Sequence, residues 1–529
     1  MVRRSTPVPR SRRPSAVTAV LLGILGAREA RAYEGEVTAT TIGQGYQLRR
    51  FDDRGGSVML ARRRVTQLVG AEISDLVPSD WTHGGERNLV FFSSQLRFDY
   101  DFGDYSRGAP GGTSRIRELA DPSQAGQQFD LLHATLSVRN GAGFLDADLG
   151  RQVVIDHFDY FALDGLDLRA RVLPWLVIEG MAGLEVRGEH AFGTDHFELD
   201  GTSAGSRDPL NCAGVVSGRC PDQADALAPV AGGALSLERL GPLDARVSYR
   251  RTWSRTAGYR SAVVQEALLP SGLADVRPEG AVDEEKLSLF SRLSLGWLYP
   301  YAGLRWNLLV GAVDELAAGL DADLPGGQRA SAGYAYLLPT FEGDSIWNVF
   351  SRGAYQDARA RWEVPVPAAG GTAHVRAHTR VYEEAPGSPG GRWDRVEWGA
   401  GTGLRRRTAL ALAQLDGEVR GGFGGLRAGA DGLLLTSLRR VDLEGRLSLL
   451  YFRSDLEPDR QSGLAFGAQA GTRFQLARGV FAHLVLEENV NRVVGHETRA
   501  LAILDLTLGT QSSPRGPYAG TLGAVGAWR

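Results

Sequence analysis

From Leu89 to Phe102 the chain alternates between two kinds of side chain almost without interruption. Val90, Phe92, Leu96, Phe98, Tyr100 and Phe102 share one parity, and Ser93, Gln95, Arg97, Asp99 and Asp101 share the other. Successive side chains of an extended strand point to opposite faces, so this segment makes a strand with one apolar wall and one polar wall. The apolar wall requires a protein core or a lipid phase, and the polar wall requires water or counter-charges.

The same pattern recurs down the chain. Leu132, Ala134, Leu136 and Val138 oppose His133, Thr135, Ser137 and Arg139. Leu166, Leu168, Ala170 and Val172 oppose Asp167, Arg169 and Arg171, and Ile178, Ala182, Leu184 and Val186 oppose Glu179, Glu185 and Arg187. Leu243, Ala245, Val247 and Tyr249 oppose Asp244, Arg246, Ser248 and Arg250, and Val441, Leu443, Leu447, Leu449 and Tyr451 oppose Asp442, Glu444, Arg446 and Ser448. Charge runs along the middle of each polar face, which fits a water-filled interior and not the apolar interior of a packed sandwich. Aromatic residues such as Trp175, Trp297, Trp362 and Trp398 fall near segment ends, where a water–lipid boundary favours them.

After residue 32 no segment has the roughly 18 consecutive apolar residues of a membrane helix. In a membrane, such a chain satisfies its backbone groups only as a closed barrel. Short turns are expected at Asn140-Gly141, Leu173-Pro174-Trp175, Gly241-Pro242 and Tyr299-Pro300, and long polar connections at 103–128, 188–228 and 256–284. Val65, Leu68, Val69, Ile73 and Leu76 fit a helical face as well as a broken strand, as does Val313 to Leu324; both are read as strands. At about 9 to 11 membrane residues per strand plus a connection, the expectation is a single transmembrane antiparallel up-and-down β-barrel, all-β, of about 18 strands (16 to 20). A propeller repeat of about 40 residues is not seen.

Residues 1–32 read as a cleaved secretory signal peptide: arginines precede the apolar run Ala16 to Ala27, followed by Ala30-Arg31-Ala32. The barrel then occupies residues 33–529. Removing the leader, with seven arginines and one glutamate, takes the net charge from -3 to -9, which disfavours nucleic-acid partners. Cys212 and Cys220 close a short loop that in an exported protein reads as a disulfide; a metal site is the rival reading and lacks further ligands at suitable spacing.

The richest cluster of charge lies on two segments joined by Pro365 to Thr372. One polar face carries Asp357, Arg359, Arg361 and Glu363, the other His374, Arg376, His378 and Arg380. Paired as a hairpin, they place four arginines and two histidines on one patch of the inner wall, where focused field would favour anions. The competing reading is that these arginines are neutralised by Asp357, Glu363 and acids on neighbouring strands. A second row, Asp167, Arg169, Arg171, Glu179, Glu185 and Arg187, reads mainly as ion pairs. His374 and His378 lie roughly 13 Å apart along a strand, too far to share a zinc ion. No nucleophile elbow or phosphate-binding loop is present, so no catalytic residue, metal or cofactor is expected.

The last segment reads Tyr518-Ala519-Gly520-Thr521-Leu522-Gly523-Ala524-Val525-Gly526-Ala527-Trp528. With the leader, the alternating strands and Gly150-Arg151-Gln152, this chain resembles Gram-negative outer-membrane β-barrel proteins of the porin type; Arg529 after the terminal aromatic departs from their usual ending. The resemblance implies an outer-membrane location among lipid and lipopolysaccharide, and an assembly signal at Trp528 for the barrel-assembly machinery. It implies a channel, not an enzyme, for polar or anionic solutes. Two alternatives stay open: a conduit for polysaccharide export working with periplasmic partners, and a non-conducting structural or adhesive barrel.

Overall fold

A computed structural model describes residues 34–51, 57–74, 76, 82–83, 86–87, 89–101, 127–158, 160–186, 228–253, 282–309, 311–338, 354–383, 393–438, 441–455, 462–491 and 495–509. The signal peptide, the Cys212–Cys220 loop, Arg187 and the terminal segment with Trp528 lie outside the described residues.

The chain runs through β1 (Glu34–Phe51), β2 (Ser57–Ser74), a two-residue-per-arm hairpin of β3 (Thr82–His83) and β4 (Glu86–Arg87), then β5 (Leu89–Asp101), β6 (Gln127–Gly141), β7 (Leu145–Ile155), β8 (Tyr160–Leu173) and β9 (Leu176–Glu185). It continues through β10 (Pro229–Leu240), β11 (Leu243–Trp253), β12 (Val282–Leu293), β13 (Leu298–Asn307), β14 (Ala312–Leu324), β15 (Gln328–Leu337), β16 (Tyr355–Val366) and β17 (Gly371–Glu383). The last strands are β18 (Trp393–Arg407), β19 (Ala411–Gly422), β20 (Leu426–Leu438), β21 (Val441–Arg453), β22 (Gly463–Ala477), β23 (Val480–Val490) and β24 (His496–Gly509). Apart from the β3–β4 hairpin, each strand pairs antiparallel with its neighbour in sequence, and β1 pairs with β24, so a 22-stranded sheet closes on itself. Closure leaves no open sheet edge.

The fold class is the expected one, an all-β closed up-and-down barrel, but the strand number is 22 and not 16 to 20. Two features of the sequence hid the extra strands. Many turns at one end span only a few residues, such as Pro174–Trp175 and Gly241–Pro242. Strands such as β15 and β22 are rich in Ala, Gly and Ser, so their two faces differ little in polarity. The ambiguous segments at Val65 to Ile73 and Val313 to Leu324 are both strands. One turn is corrected: Tyr299 and Pro300 lie inside β13, with Pro300 opposite Leu320, and the turn falls at 294–297. Proline's fixed φ suits extended backbone, and its missing N–H costs nothing at a position that does not donate to the ladder.

The two ends of the barrel differ. The segments 102–126, 187–227, 254–281 and 339–353 all join strands at one end, while turns such as 142–144, 174–175, 241–242 and 325–327, and the start of β1 opposite the end of β24, lie at the other. The wall also has two distinct faces. Large apolar side chains left exposed include Ile178, Val247, Trp362 and Leu447, on the parity read as apolar, and Leu235, Leu289, Trp398 and Leu415 on other strands. Their neighbours on the other parity carry most of the ion pairs.

Candidate functional site

The predicted arginine and histidine cluster forms as a hairpin of β16 and β17. Asp357 stands opposite Arg380, Arg359 opposite His378, Arg361 opposite Arg376, and Glu363 opposite His374. The structure therefore brings all eight residues onto one polar patch. It also extends that patch across β18 and β19, which the sequence reading left out.

Gly399, Gly401 and Gly403 of β18 are the register partners of His378, Arg376 and His374. A Cβ at Gly401 would lie 2.7 Å from the Arg376 Nε, and at Gly399 and Gly403 it would collide with the histidine rings. Alternate glycines thus form a track in which these three side chains lie across β18. His374, only 5% exposed, reaches Asp416 at 3.2 Å; Arg376 reaches Glu418 at 2.6 Å; His378 sits 3.4 Å from Glu397.

The remaining arginines are also engaged. Asp357, 1% exposed, accepts from Arg359 at 2.5 Å and from Arg380 at 2.7 Å. Arg380 also stacks over the Tyr355 ring at 4.6 Å. Arg361 lies 3.3 Å from Glu363, and Arg420 pairs with Glu418. Arg359 is the most open, with 66% of its side chain exposed. With the histidines neutral, Arg359, Arg361, Arg376, Arg380 and Arg420 face Asp357, Glu363, Glu397, Asp416 and Glu418, so the patch is charge-balanced. The signal that could have revealed the partners is the Gly399-Ala400-Gly401-Thr402-Gly403 alternation, which marks a strand face that receives a neighbour's side chains.

The second predicted row is split. Arg169 and Glu179 are register partners at 3.6 Å, and Arg169 also pairs with Glu238 of β10. Glu185 lies 3.6 Å from Arg250 of β11. Arg171 lines a cavity of about 190 Å³ with Arg139, Asp146 and Arg169.

A third arrangement was not read from sequence at all. The tip of the β7–β8 hairpin lies over the polar face of β9 to β13, while β8 stays paired with β9 as far as Leu163. Asp156 accepts from Arg246 Nε at 2.9 Å and from the Ser248 hydroxyl. The His157 ring sits 3.7 Å from that of Phe290, Arg305 donates to the Phe158 carbonyl, and the Phe158 ring occupies the space that a side chain at Gly303 would need. Phe161 and Leu163 form a small buried core with Val230, flanked by Val154 and Met181, and Arg250 lies 4.4 Å from the Phe161 ring centre. Beneath the hairpin a cavity of about 760 Å³ is lined by Asp148, Asp167, Glu179, Arg246 and Phe290 among others.

Burial acts to raise the Asp156 carboxyl, but the Ser248 hydroxyl, the Arg246 guanidinium and the His157 backbone N–H outweigh it and hold the group below the usual carboxylate range; burial pushes His157 down. A depressed carboxyl contributes stability that is fully present above its unfolded pKa and is lost as pH falls through the folded value. Besides Arg246, Asp156 shares its surroundings with Glu179, Asp167 and Lys286. The protection factors of the 156–158 amides, corrected for intrinsic exchange, are therefore expected to hold from neutral pH down to about pH 5 and to fall only below about pH 4.

Among the described residues no group of three or more His, Cys, Asp or Glu side chains is disposed to hold a metal ion. No helix among them is long and apolar enough to cross a membrane.

No protein-family model matches the chain, and no curated protein matches it. Solved structures do resemble it in overall form. The outer-membrane protein OpdK of Pseudomonas aeruginosa has 7% identity, covers 90% of this chain and 98% of its own, and gives a TM-score of 0.38. OccK2 (OpdF) of the same organism, in complex with glucuronate, has 10% identity, the same coverage and a TM-score of 0.40. A BenF-like porin from Pseudomonas fluorescens has 9% identity, covers 90% of this chain and 99% of its own, and gives 0.37.

Proposed function

We propose that this barrel is a porin-like channel of a bacterial outer membrane, with its apolar face in lipid and its polar face around a water-filled path for polar or anionic solutes. The observation that carries this reading is the closed wall with two faces: large exposed Leu, Val, Ile and Trp on one side, and most of the ion pairs on the other. A closed barrel satisfies every backbone group in lipid. Only the inner side of such a wall can hold the β7–β8 hairpin and its charged partners, because charge on the lipid side would be stranded in hydrocarbon.

In this reading Asp357, Arg359, Arg361, Glu363, His374, Arg376, His378 and Arg380 line one side of the path, and Arg169, Arg171, Glu179 and Glu185 another. Barrels of about 16 to 18 strands already enclose an aqueous channel, and wider ones need material inside to narrow them. The hairpin over β9 to β13 supplies part of that narrowing. The refolded protein in planar bilayers is expected to give stable single-channel conductance; a barrel that inserts but passes no ions would favour the structural or adhesive alternative. Polysaccharide export gains no support from the described residues, and intact surface polymer in a clean deletion would remove it.

A further inference from the structure

We propose that the cavity between β6, β7 and β8, at the end of the barrel that carries the turns 142–144 and 174–175, is a binding subsite for a small monocarboxylate with an apolar body, gripped by Arg171 and packed against Phe144. As a station on a solute path the subsite rests on the conduction reading, but its occupancy is measurable without conduction.

Three observations carry it. The first is a cation with nothing to hold. Arg139 is engaged by Asp148 at 2.8 Å, and Arg169 by Glu179 at 3.6 Å and by Glu238. Arg171 lines the same cavity, is exposed, and has no ion pair among the described residues. Its guanidinium is left with both prongs of its fork to offer to a carboxylate.

The second is an apolar ring on the polar face. Asp146 and Arg169 are register partners there, and one step of the ladder nearer the turn the Arg171 N–H donates to the Phe144 carbonyl at 2.8 Å. Side chains two apart along a strand share a face, so Phe144 stands beside Arg171 and not toward lipid. It is nevertheless 50% exposed. The turn that puts it there holds Asn140 and Ala142 in the left-handed region, at φ 56° and 51°, and is fixed by the Asn140 N–H donating to Asp146 at 2.8 Å. An open apolar ring next to a few convergent polar groups is the make-up of a small-molecule site.

The third is size and charge. The cavity measures about 190 Å³, roughly the volume of six liquid waters, so it takes an acid of only a few carbons. Asp146 in the lining repels a second negative group, and Arg139 and Arg169 already answer to carboxylates of their own. One carboxylate is therefore matched at Arg171, and Phe144 covers the apolar remainder.

The test uses butyrate, with butyramide as its uncharged counterpart of nearly equal shape, on the full chain refolded in detergent micelles and with protein-free micelles as the blank. Saturation-transfer difference NMR is expected to show saturable binding of butyrate and binding of butyramide weaker by about tenfold or more, the loss of one charge-assisted pair. Arg171→Gln is expected to weaken butyrate binding by about tenfold and Phe144→Ala by about threefold. Arg329→Gln removes another exposed arginine at the same end of the barrel and is expected to leave butyrate binding unchanged. Equal binding of butyrate and butyramide by the wild-type chain would overturn the subsite, and so would a loss in Arg329→Gln as large as that in Arg171→Gln. The expected pattern in a barrel that never conducts would uphold the subsite and overturn the conduction reading; a conducting barrel that holds no butyrate would do the reverse.

Discussion

Arginine in place of Leu447 is expected to lower barrel stability by about 2–4 kcal/mol, the cost of a cation near the middle of a lipid-facing strand. Leu447 lies near the centre of β21 and is 60% exposed, which in a soluble protein would make it a tolerant position. The neighbouring substitution Ser448→Arg makes the comparison informative. Ser448 is on the opposite face and donates to Asp431, so an arginine there meets a carboxylate and water. Urea titration of the refolded barrel in bilayers, followed by the loss of its heat-modifiable gel mobility, is expected to show a large fall in midpoint for the first variant and little for the second. Equal tolerance of both would mean that the two faces of the wall do not meet different solvents.

The second large effect concerns the charge-balanced patch. Replacing Arg359, Arg361, Arg376 and Arg380 together by Gln leaves five carboxylates facing Arg420 alone. The local potential then turns strongly negative in a region bounded by low-dielectric wall, and field focusing of this kind changes local ion concentrations by on the order of tenfold or more. The anion-to-cation permeability ratio, read from reversal potentials in a salt gradient, is expected to fall by about tenfold. The mirror variant, with Glu363, Glu397 and Glu418 changed to Gln, is expected to raise it. The effect should weaken as salt is raised, because screening shortens the reach of each charge. A conducting barrel with an unmoved ratio would remove this patch from the solute path.

The balance of that patch also shows why the wild-type chain need not be strongly anion-selective despite its arginines. A paired guanidinium contributes a dipole more than a monopole to the field along the axis. Arg359, the most exposed of the set, retains the freest approach to a passing carboxylate or phosphate, for which a guanidinium offers two parallel donors.

Much of the architecture was legible because the period of a strand is two. Wherever Leu, Val or Trp alternates with Asp, Arg or Ser, as in β8, β11 and β21, the binary pattern alone gave the strand and its faces. It failed in β15 and β22, where Ala and Gly occupy both faces and neither face announces its solvent. The strand count fell short for that reason. The β16–β17 patch was legible because both strands carry charge at every second residue and are joined by a short Pro and Gly turn. Its partners were not, because Glu397, Asp416 and Glu418 sit on strands whose polar face is interrupted by glycine, and the function of those glycines depends on register.

The hairpin over β9 to β13 was invisible for a different reason. Asp156, His157 and Phe158 carry no motif, and their partners Arg246, Phe290, Gly303 and Arg305 lie far along the chain. Contacts of this range follow from barrel closure and tertiary packing, which local pattern does not encode.

The division of solvents across the wall is tested most directly by single cysteines along β21, in a chain with Cys212 and Cys220 replaced by serine. Positions 444, 446 and 448 are expected to react with a membrane-impermeant thiol reagent, and bimane labels at 443, 447 and 449 are expected to be quenched by nitroxide on lipid acyl chains. Aqueous reactivity on both parities, with no quenching from the acyl chains on either, would contradict a lipid-facing wall.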